Sequence, residues 1–134
     1  MDDIFVGRVM STDLQTVGPD TLVEDAAQLM IDESIGSLIV TDDDNDIRGI
    51  LTSTDFVEIV KESDPKAQTT VERYMSTDVL TTTAQEQIQA VADLMLEAGI
   101  HHVPVVDETE GVIGIISTTD LTAYVSTVQT PSPA

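Results

Sequence analysis

Gly49-Ile-Leu-Thr-Ser-Thr-Asp55 and Gly114-Ile-Ile-Ser-Thr-Thr-Asp120 are two versions of one heptapeptide, set 65 residues apart. Extending the same offset outward, without a gap, lays residues 8–60 on 73–125, and 17 of the 53 positions are identical. Arg8, Met10, Ser11, Thr12 and Asp13 fall on Arg73, Met75, Ser76, Thr77 and Asp78. Ala27, Leu29, Met30, Ile35, Val40 and Asp42 fall on Ala92, Leu94, Met95, Ile100, Val105 and Asp107. Thr52 meets Ser117, which conserves the hydroxyl. The chain is therefore one small unit written twice. Two such units usually bury their apolar faces against each other. A cleft between them would carry two pseudo-equivalent sites.

Each copy reads as β-α-β-β-α. A helical lead-in covers 3–10, and Thr16-Val17 form a short strand stopped by Gly18-Pro19-Asp20. Thr21-Leu-Val-Glu24 matches a capping box, and Leu22, Ala26, Leu29 and Met30 continue it as a helical stripe. Ser37–Thr41 and Ile47–Ser53 read as a hairpin around the turn Asp42–Asp46. Thr54 or Asp55 then caps a helix running to about Glu62. The second copy repeats this: a lead-in at 71–75, a strand near Thr81, a helix from about Gln85 to Ala98, strands 102–106 and 112–117, and a helix over 119–126. The expected organisation is a first repeat over 1–60, a linker over 61–72, a second repeat over 73–128 and a disordered tail over 129–134, which lacks large apolar side chains.

Composition narrows the function classes. A chain of 134 residues has the size of one domain. Each 53-residue half is marginal alone, so a shared core is expected. With 3% aromatic residues that core is aliphatic. The net charge of −20 comes from 25 acidic against five basic side chains. Such a surface repels phosphate backbones, which argues against a nucleic-acid partner. The same repulsion opposes compaction in dilute buffer and is screened by salt, so a cytoplasmic protein of a halophilic archaeon is expected. The absence of Cys excludes disulfides, thiol catalysis and Cys-ligated zinc. No apolar run approaches a membrane span, and no signal peptide is evident.

The tandem β-α-β-β-α repeat resembles a pair of CBS domains, or Bateman module. The resemblance is carried by Met10-Ser-Thr and Met75-Ser-Thr, by Gly99-Ile-His-His-Val-Pro-Val-Val-Asp107, and by the two Gly-hydrophobic-x-Thr/Ser-x-x-Asp heptapeptides. It covers nearly everything outside the tail. It implies an α/β (α+β) fold with two repeats packed as one pseudo-twofold module. It also implies an adenosine ligand, AMP, ADP or ATP, with S-adenosylmethionine or NAD as alternatives, held in the cleft between the copies. Such modules regulate another protein and usually form flat homodimers through helical faces. With no enzyme, channel or DNA-binding domain attached, the chain resembles the stand-alone members.

The candidate ligand-binding residues are Thr12, Ile35, Gly36, Ile50, Thr52, Asp55, Thr77, Ile100, His101, His102, Ile115, Ser117 and Asp120. Asp55 and Asp120 stand where a strand turns into the last helix of each copy. A carboxylate there can accept two hydrogen bonds from a ribose diol, and it can equally cap the helix. Thr54 and Thr119 are alternative caps, which would free each aspartate. Thr52 and Ser117 offer hydroxyls to ribose or phosphate. His101 and His102 are adjacent on a strand, face opposite sides and cannot readily chelate one metal. The resemblance places basic, phosphate-contacting residues there, while packed strand histidines are the plainer reading. Gly36-Ser37 replaces the pair in the first copy, so the two sites should differ. Ile35, Ile100, Ile50 and Ile115 could sandwich an adenine or be plain core. The resemblance also implies crosswise sites, Asp120 and Ser117 with Thr12, Ile35 and Gly36, and Asp55 and Thr52 with Thr77, Ile100 and His101. Arg48 could reach a phosphate or form a solvated salt bridge.

Asp42-Asp-Asp-Asn-Asp46 fails the EF-hand pattern, because Ile47 and Ser53 occupy its sixth and twelfth positions. It reads as a solvated acidic turn, so no metal site is expected. No P-loop and no nucleophile–base constellation is present, and no enzyme is expected. The alternative to a sensor is a ligand-free scaffold that dimerises and holds a partner. For a chain this acidic, AMP or a less charged adenosine compound should bind in preference to ATP at low salt.

Overall fold

The computed structural model describes residues 4–62 and 68–128. Asp3 of the expected lead-in, residues 63–67 of the linker and the tail 129–134 lie outside the described residues. The first copy runs α1 (Val6–Val9), β1 (Thr16–Val17), α2 (Val23–Glu33), β2 (Ser37–Thr41), β3 (Ile47–Thr52) and α3 (Ser53–Lys61). After a 3-10 turn at Val71–Arg73, the second runs α4 (Ile88–Ala98), β4 (His102–Asp107), β5 (Gly111–Ser117) and α5 (Thr118–Val128). β1 pairs parallel to β2, and β2 pairs antiparallel to β3. β4 and β5 form the matching hairpin. In the second copy β1 is reduced to a single parallel bridge, Thr82 to Val105. Both hairpins shift register at the same place, after Val40 and after Val105.

The compact units cut across the sequence repeats. One combines residues up to Leu14 with those from Leu80 onward, and the other spans Gln15–Val79. Each lead-in thus joins the body of the other copy. Val6, wholly buried, packs with Val91, Met95, Val103, Val105 and Ile116. Val71, also wholly buried, packs with Val23, Ala26, Met30, Leu38, Val40, Leu51 and Ile59. The expected single core is therefore two aliphatic clusters, one per unit. A stretch of about a dozen residues cannot bury its apolar side chains by itself, and docking on a helix and a hairpin supplies that burial.

The lead-ins also settle how two helices begin. α2 starts at Val23 with Leu22 at the cap and no side-chain cap, so the expected Thr21–Glu24 capping box does not form. Backbone replaces it. Val23 N–H donates to the Thr69 carbonyl at 2.9 Å, and Val71 N–H donates to the Thr21 carbonyl at 2.8 Å. In the other unit α4 begins at Ile88, later than expected, and Ile88 N–H donates to the Ile4 carbonyl at 2.9 Å. These bonds satisfy helix N–H groups that otherwise need a cap.

At the end of each lead-in a methionine lies against a glycine of the hairpin. A Cβ on Gly114 would stand 2.7 Å from Met10 Sδ and 3.0 Å from the Ser11 carbonyl oxygen. On Gly49 it would stand 2.8 Å from both Met75 Sδ and the Ser76 carbonyl oxygen. The glycines let the lead-in backbone bridge to the next strand residue, Ser11 with Ile115 and Ser76 with Ile50. Gly49→Val should therefore destabilise the fold by about 1–3 kcal/mol through overpacking. Urea unfolding checks this, and an unchanged midpoint would show that the contact is not tight.

Candidate functional site

Asp55 and Asp120 sit in the first turns of α3 and α5, at the junctions with β3 and β5. Thr52 holds extended dihedrals, φ −121° and ψ 168°, and is the cap residue of α3. Its N–H donates to Asp55 Oδ2 at 2.8 Å and its hydroxyl to the same oxygen at 3.3 Å, within a capping box. In the second copy Ser117 N–H donates to Asp120 Oδ2 at 2.9 Å and Ser117 Oγ donates at 3.0 Å. Asp120 N–H returns a bond to Ser117 Oγ at 3.2 Å. The expectation that Thr54 and Thr119 cap these helices is corrected. Each helix starts earlier, at Ser53 and Thr118, because the strand ends at the hydroxyl residue three positions before the aspartate. The aspartates are part of the capping apparatus, and Oδ2 is the oxygen committed to it.

The other oxygen distinguishes the two copies. Asp120 Oδ1 accepts a hydrogen bond from Ser11 Oγ at 2.9 Å. Among the described residues no corresponding bond joins Ser76 to Asp55. Ser11 did not stand out in the sequence, although its identity with Ser76 was the available signal.

The remaining candidates divide between the units. Thr12, Ile100, His101, His102, Ile115, Ser117 and Asp120 belong to one, and Ile35, Gly36, Ile50, Thr52, Asp55 and Thr77 to the other. Within each unit the start of the first hairpin strand meets the start of the last helix. The Gly36 carbonyl accepts Ser53 N–H at 3.1 Å, and the His101 carbonyl accepts Thr118 N–H at 3.0 Å. Thr12, Thr77 and His101 are exposed, while Thr52, Asp55, Ser117 and Asp120 are half-buried. Ile35 and Ile100 pack against the two cores. Ile50 is buried and Ile115 half-buried. Ile35 also lines a shallow apolar hollow of about 340 Å³ with Ala27, Met30, Ile31, Ser53 and Phe56, which the sequence did not indicate. Arg48 is exposed on β3, and its counterpart Ile113 packs on the second core.

His102 is half-buried on β4, paired with Ser117. Burial holds its imidazole below the ordinary value of 6.5. Neighbouring His101 pushes the same way, and Asp120 opposes them. As pH falls, the unfolded chain takes up this proton first, so the contribution is fully present above 6.5 and is lost below it. Stability should drop as pH falls below 6.5, and His102→Gln should flatten part of that drop. Identical pH profiles for the two proteins would refute the assignment.

The turn Asp42–Asp46 closes on itself. Asp42 Oδ1 accepts the N–H groups of Asp44 at 2.9 Å and Asp46 at 3.0 Å, with Asn45 left-handed at φ 66°. Carboxylate oxygens of Asp42, Asp44 and Asp46 lie within 4.8 Å of one another. Two of the three residues are exposed, as a solvated acidic turn would be.

Among the described residues no helix is long and apolar enough to cross a membrane. The chain is 38% identical over 121 residues to a homoserine O-acetyltransferase of Methanosalsum zhilinae, matching 90% of this chain but 24% of that protein. It is 31% identical to an uncharacterised 17.7 kDa protein of Acidianus ambivalens, over 93% of this chain and 75% of that one. The crystal structure of the CBS domain pair of protein MJ0100, in complex with 5′-methylthioadenosine and S-adenosyl-L-methionine, superposes with a TM-score of 0.86 at 26% identity. It covers 96% of this chain and 100% of that one. The CBS-domain containing protein ATU1752 of Agrobacterium tumefaciens superposes with a TM-score of 0.81 at 30% identity, over 90% of this chain and 98% of that one. The CBS domain model matches residues 6–62 and again 71–127, one match for each repeat, and the chain belongs to the CBS domain family.

Proposed function

We propose that this chain is a regulatory module that binds an adenosine-containing small molecule of the AMP, ADP or ATP class and signals its presence to a partner protein. S-adenosylmethionine and NAD are the alternative ligands. The observation that carries this reading is the paired carboxylate. Asp55 and Asp120 recur at one place in the repeat, half-buried, each bonded to a hydroxyl residue, Thr52 or Ser117. A half-buried carboxylate that gives only one oxygen to its helix start suits a ribose diol, because bonds from hydroxyls to a carboxylate are short and strong. The MJ0100 pair, with both of its ligands built on adenosine, supports the class. The match to a quarter of a homoserine O-acetyltransferase supports regulation of an enzyme as the setting. A binding role without turnover is the reading that befits a pair of CBS domains. The exposed His101 favours phosphate in the unit of Asp120, where the other unit has Gly36.

A homodimer is the proposed assembly. Ile31, Val57 and Val60 are 71%, 69% and 76% exposed on α2 and α3, an apolar helical face that a second copy would cover. The same face, with aspartates already satisfied as helix caps, also favours the second reading, a ligand-free scaffold.

Calorimetric titration in about 1 M KCl with AMP, ATP, S-adenosylmethionine and NADH separates the readings, with GMP as the control. Saturable heat with an adenosine compound supports the sensor. No heat from any of them overturns it in favour of the scaffold.

A further inference from the structure

We propose that Ser11 is a latch on Asp120, so that the two carboxylate sites are not equivalent: the Asp55 site is open in the free protein and the Asp120 site is closed until a ligand hydroxyl displaces Ser11. The inference rests on the adenosine reading and specifies how its two sites are regulated.

Each carboxylate gives Oδ2 to its own helix start, through Thr52 in one unit and Ser117 in the other. That leaves Oδ1 as the oxygen available to a diol. Asp120 Oδ1 already accepts the Ser11 hydroxyl at 2.9 Å. Asp55 Oδ1 makes no such bond among the described residues, although Ser76 stands where Ser11 does and bridges Ile50 as Ser11 bridges Ile115. The difference therefore lies in the side chain, since the backbone attachment is the same. Ser11 N–H donates to the Ile115 carbonyl at 2.8 Å, and Ile115 N–H donates to the Ser11 carbonyl at 3.0 Å. The hydroxyl is thus carried on a fixed backbone and can leave Asp120 by a χ1 rotation alone.

A diol entering at Asp120 must replace one hydroxyl–carboxylate bond by another. The gain is smaller than at Asp55, where no side-chain hydroxyl of the described residues has to be displaced from Oδ1. The Asp55 site should fill first. Ser11 also ties the lead-in of one copy to the last helix of the other, so displacing it loosens that attachment. Filling the second site would then release a side-chain tether of the lead-in, and a partner could read that change.

The test is Ser11→Ala, with Ser76→Ala as the control, titrated with adenosine and with 2′,3′-dideoxyadenosine. Backbone amide shifts of Ser117 and Asp120 report one site, and those of Thr52 and Asp55 the other. Ser11→Ala is expected to tighten adenosine at the Asp120 site about tenfold or more, the worth of one hydroxyl–carboxylate bond no longer competed for. It should leave the Asp55 site unchanged and give no gain with the dideoxy compound. Weaker adenosine binding would make Ser11 a ligand contact and overturn the latch. An unchanged affinity, or an equal gain at Asp55 in Ser76→Ala, would overturn it too. If adenosine binds neither wild type nor variant, the adenosine reading fails. The latch is then decided by the Hα–Hβ couplings of Ser11 in the free wild type, where a single fixed χ1 rotamer supports it and averaging over rotamers overturns it.

Discussion

Asp55→Ala and Asp120→Ala should each abolish adenosine binding in their own unit, weakening it at least about a hundredfold, while unfolding neither. The binding loss follows from the carboxylate chemistry. Two hydroxyl donors on an ionised acceptor are worth roughly 1.5–3 kcal/mol each, and about 1.4 kcal/mol is tenfold in affinity. The stability loss follows from the capping geometry. Asp55 Oδ2 accepts Thr52 N–H at 2.8 Å, and Asp120 Oδ2 accepts Ser117 N–H at 2.9 Å. Removing such a capping partner costs about 1 kcal/mol. Asp120→Ala loses in addition the Ser11 bond, so its midpoint should fall further than that of Asp55→Ala. Calorimetric titration and urea unfolding of the same samples measure both effects. A variant that keeps wild-type affinity in its unit sinks the diol role. A variant that loses binding only by unfolding fails to test chemistry, and Asp→Asn, which keeps shape and an acceptor oxygen, then separates charge from fold.

Capping and ligand binding can coexist on one aspartate. An aspartate at the third position of a helix completes a capping box with one oxygen, and that contact fixes its rotamer. The second oxygen is then held in place without further support. A binding group preorganised in this way loses little rotamer freedom when a ligand arrives. The capping and binding readings of Asp55 and Asp120 thus use different atoms of one side chain.

What the sequence made legible was local. The hairpins at Ser37–Thr52 and His102–Ser117 follow from short apolar runs around polar turns, and the helix ends follow from Ser34 and Gly99, both left-handed in the structure. The position of each aspartate at a strand–helix junction was legible for the same reason. The non-local features were not. The exchange of lead-ins leaves no trace in periodicity, since Val6 and Val71 look alike and either body could accept either one. Thr21–Glu24 has the spacing of a capping box, but the carbonyl of Thr69 reaches Val23 N–H first. The Ser11–Asp120 bond spans 109 positions, and no local rule distinguishes Ser11 from Ser76. Side-chain pairing across such a distance is decided by packing, which the repeat alone does not specify.

Salt should stabilise this fold strongly. The melting midpoint in 1 M KCl is expected to exceed that in 0.1 M KCl by on the order of 10 °C. Two like charges 10 Å apart in water repel by about 0.4 kcal/mol, and a net charge of −20 on 134 residues makes many such pairs. The screening length shrinks from about 10 Å at 0.1 M to about 3 Å at 1 M, so a few kcal/mol of repulsion is removed, and each kcal/mol is worth several degrees at this size. Local geometry sharpens the expectation. α2 carries Asp32 and Glu33 at its C-terminal end with no basic residue in the last turn, where the helix dipole disfavours negative charge. Glu33→Lys should therefore stabilise the protein by about 0.3–1 kcal/mol in dilute buffer, and the gain should shrink in 1 M KCl. That contrast separates screening from a general effect of salt on apolar hydration, which would leave the gain of Glu33→Lys unchanged. A midpoint independent of KCl would mean that the acidic side chains are spaced widely enough to ignore one another, and the halophilic reading of the composition would go with it.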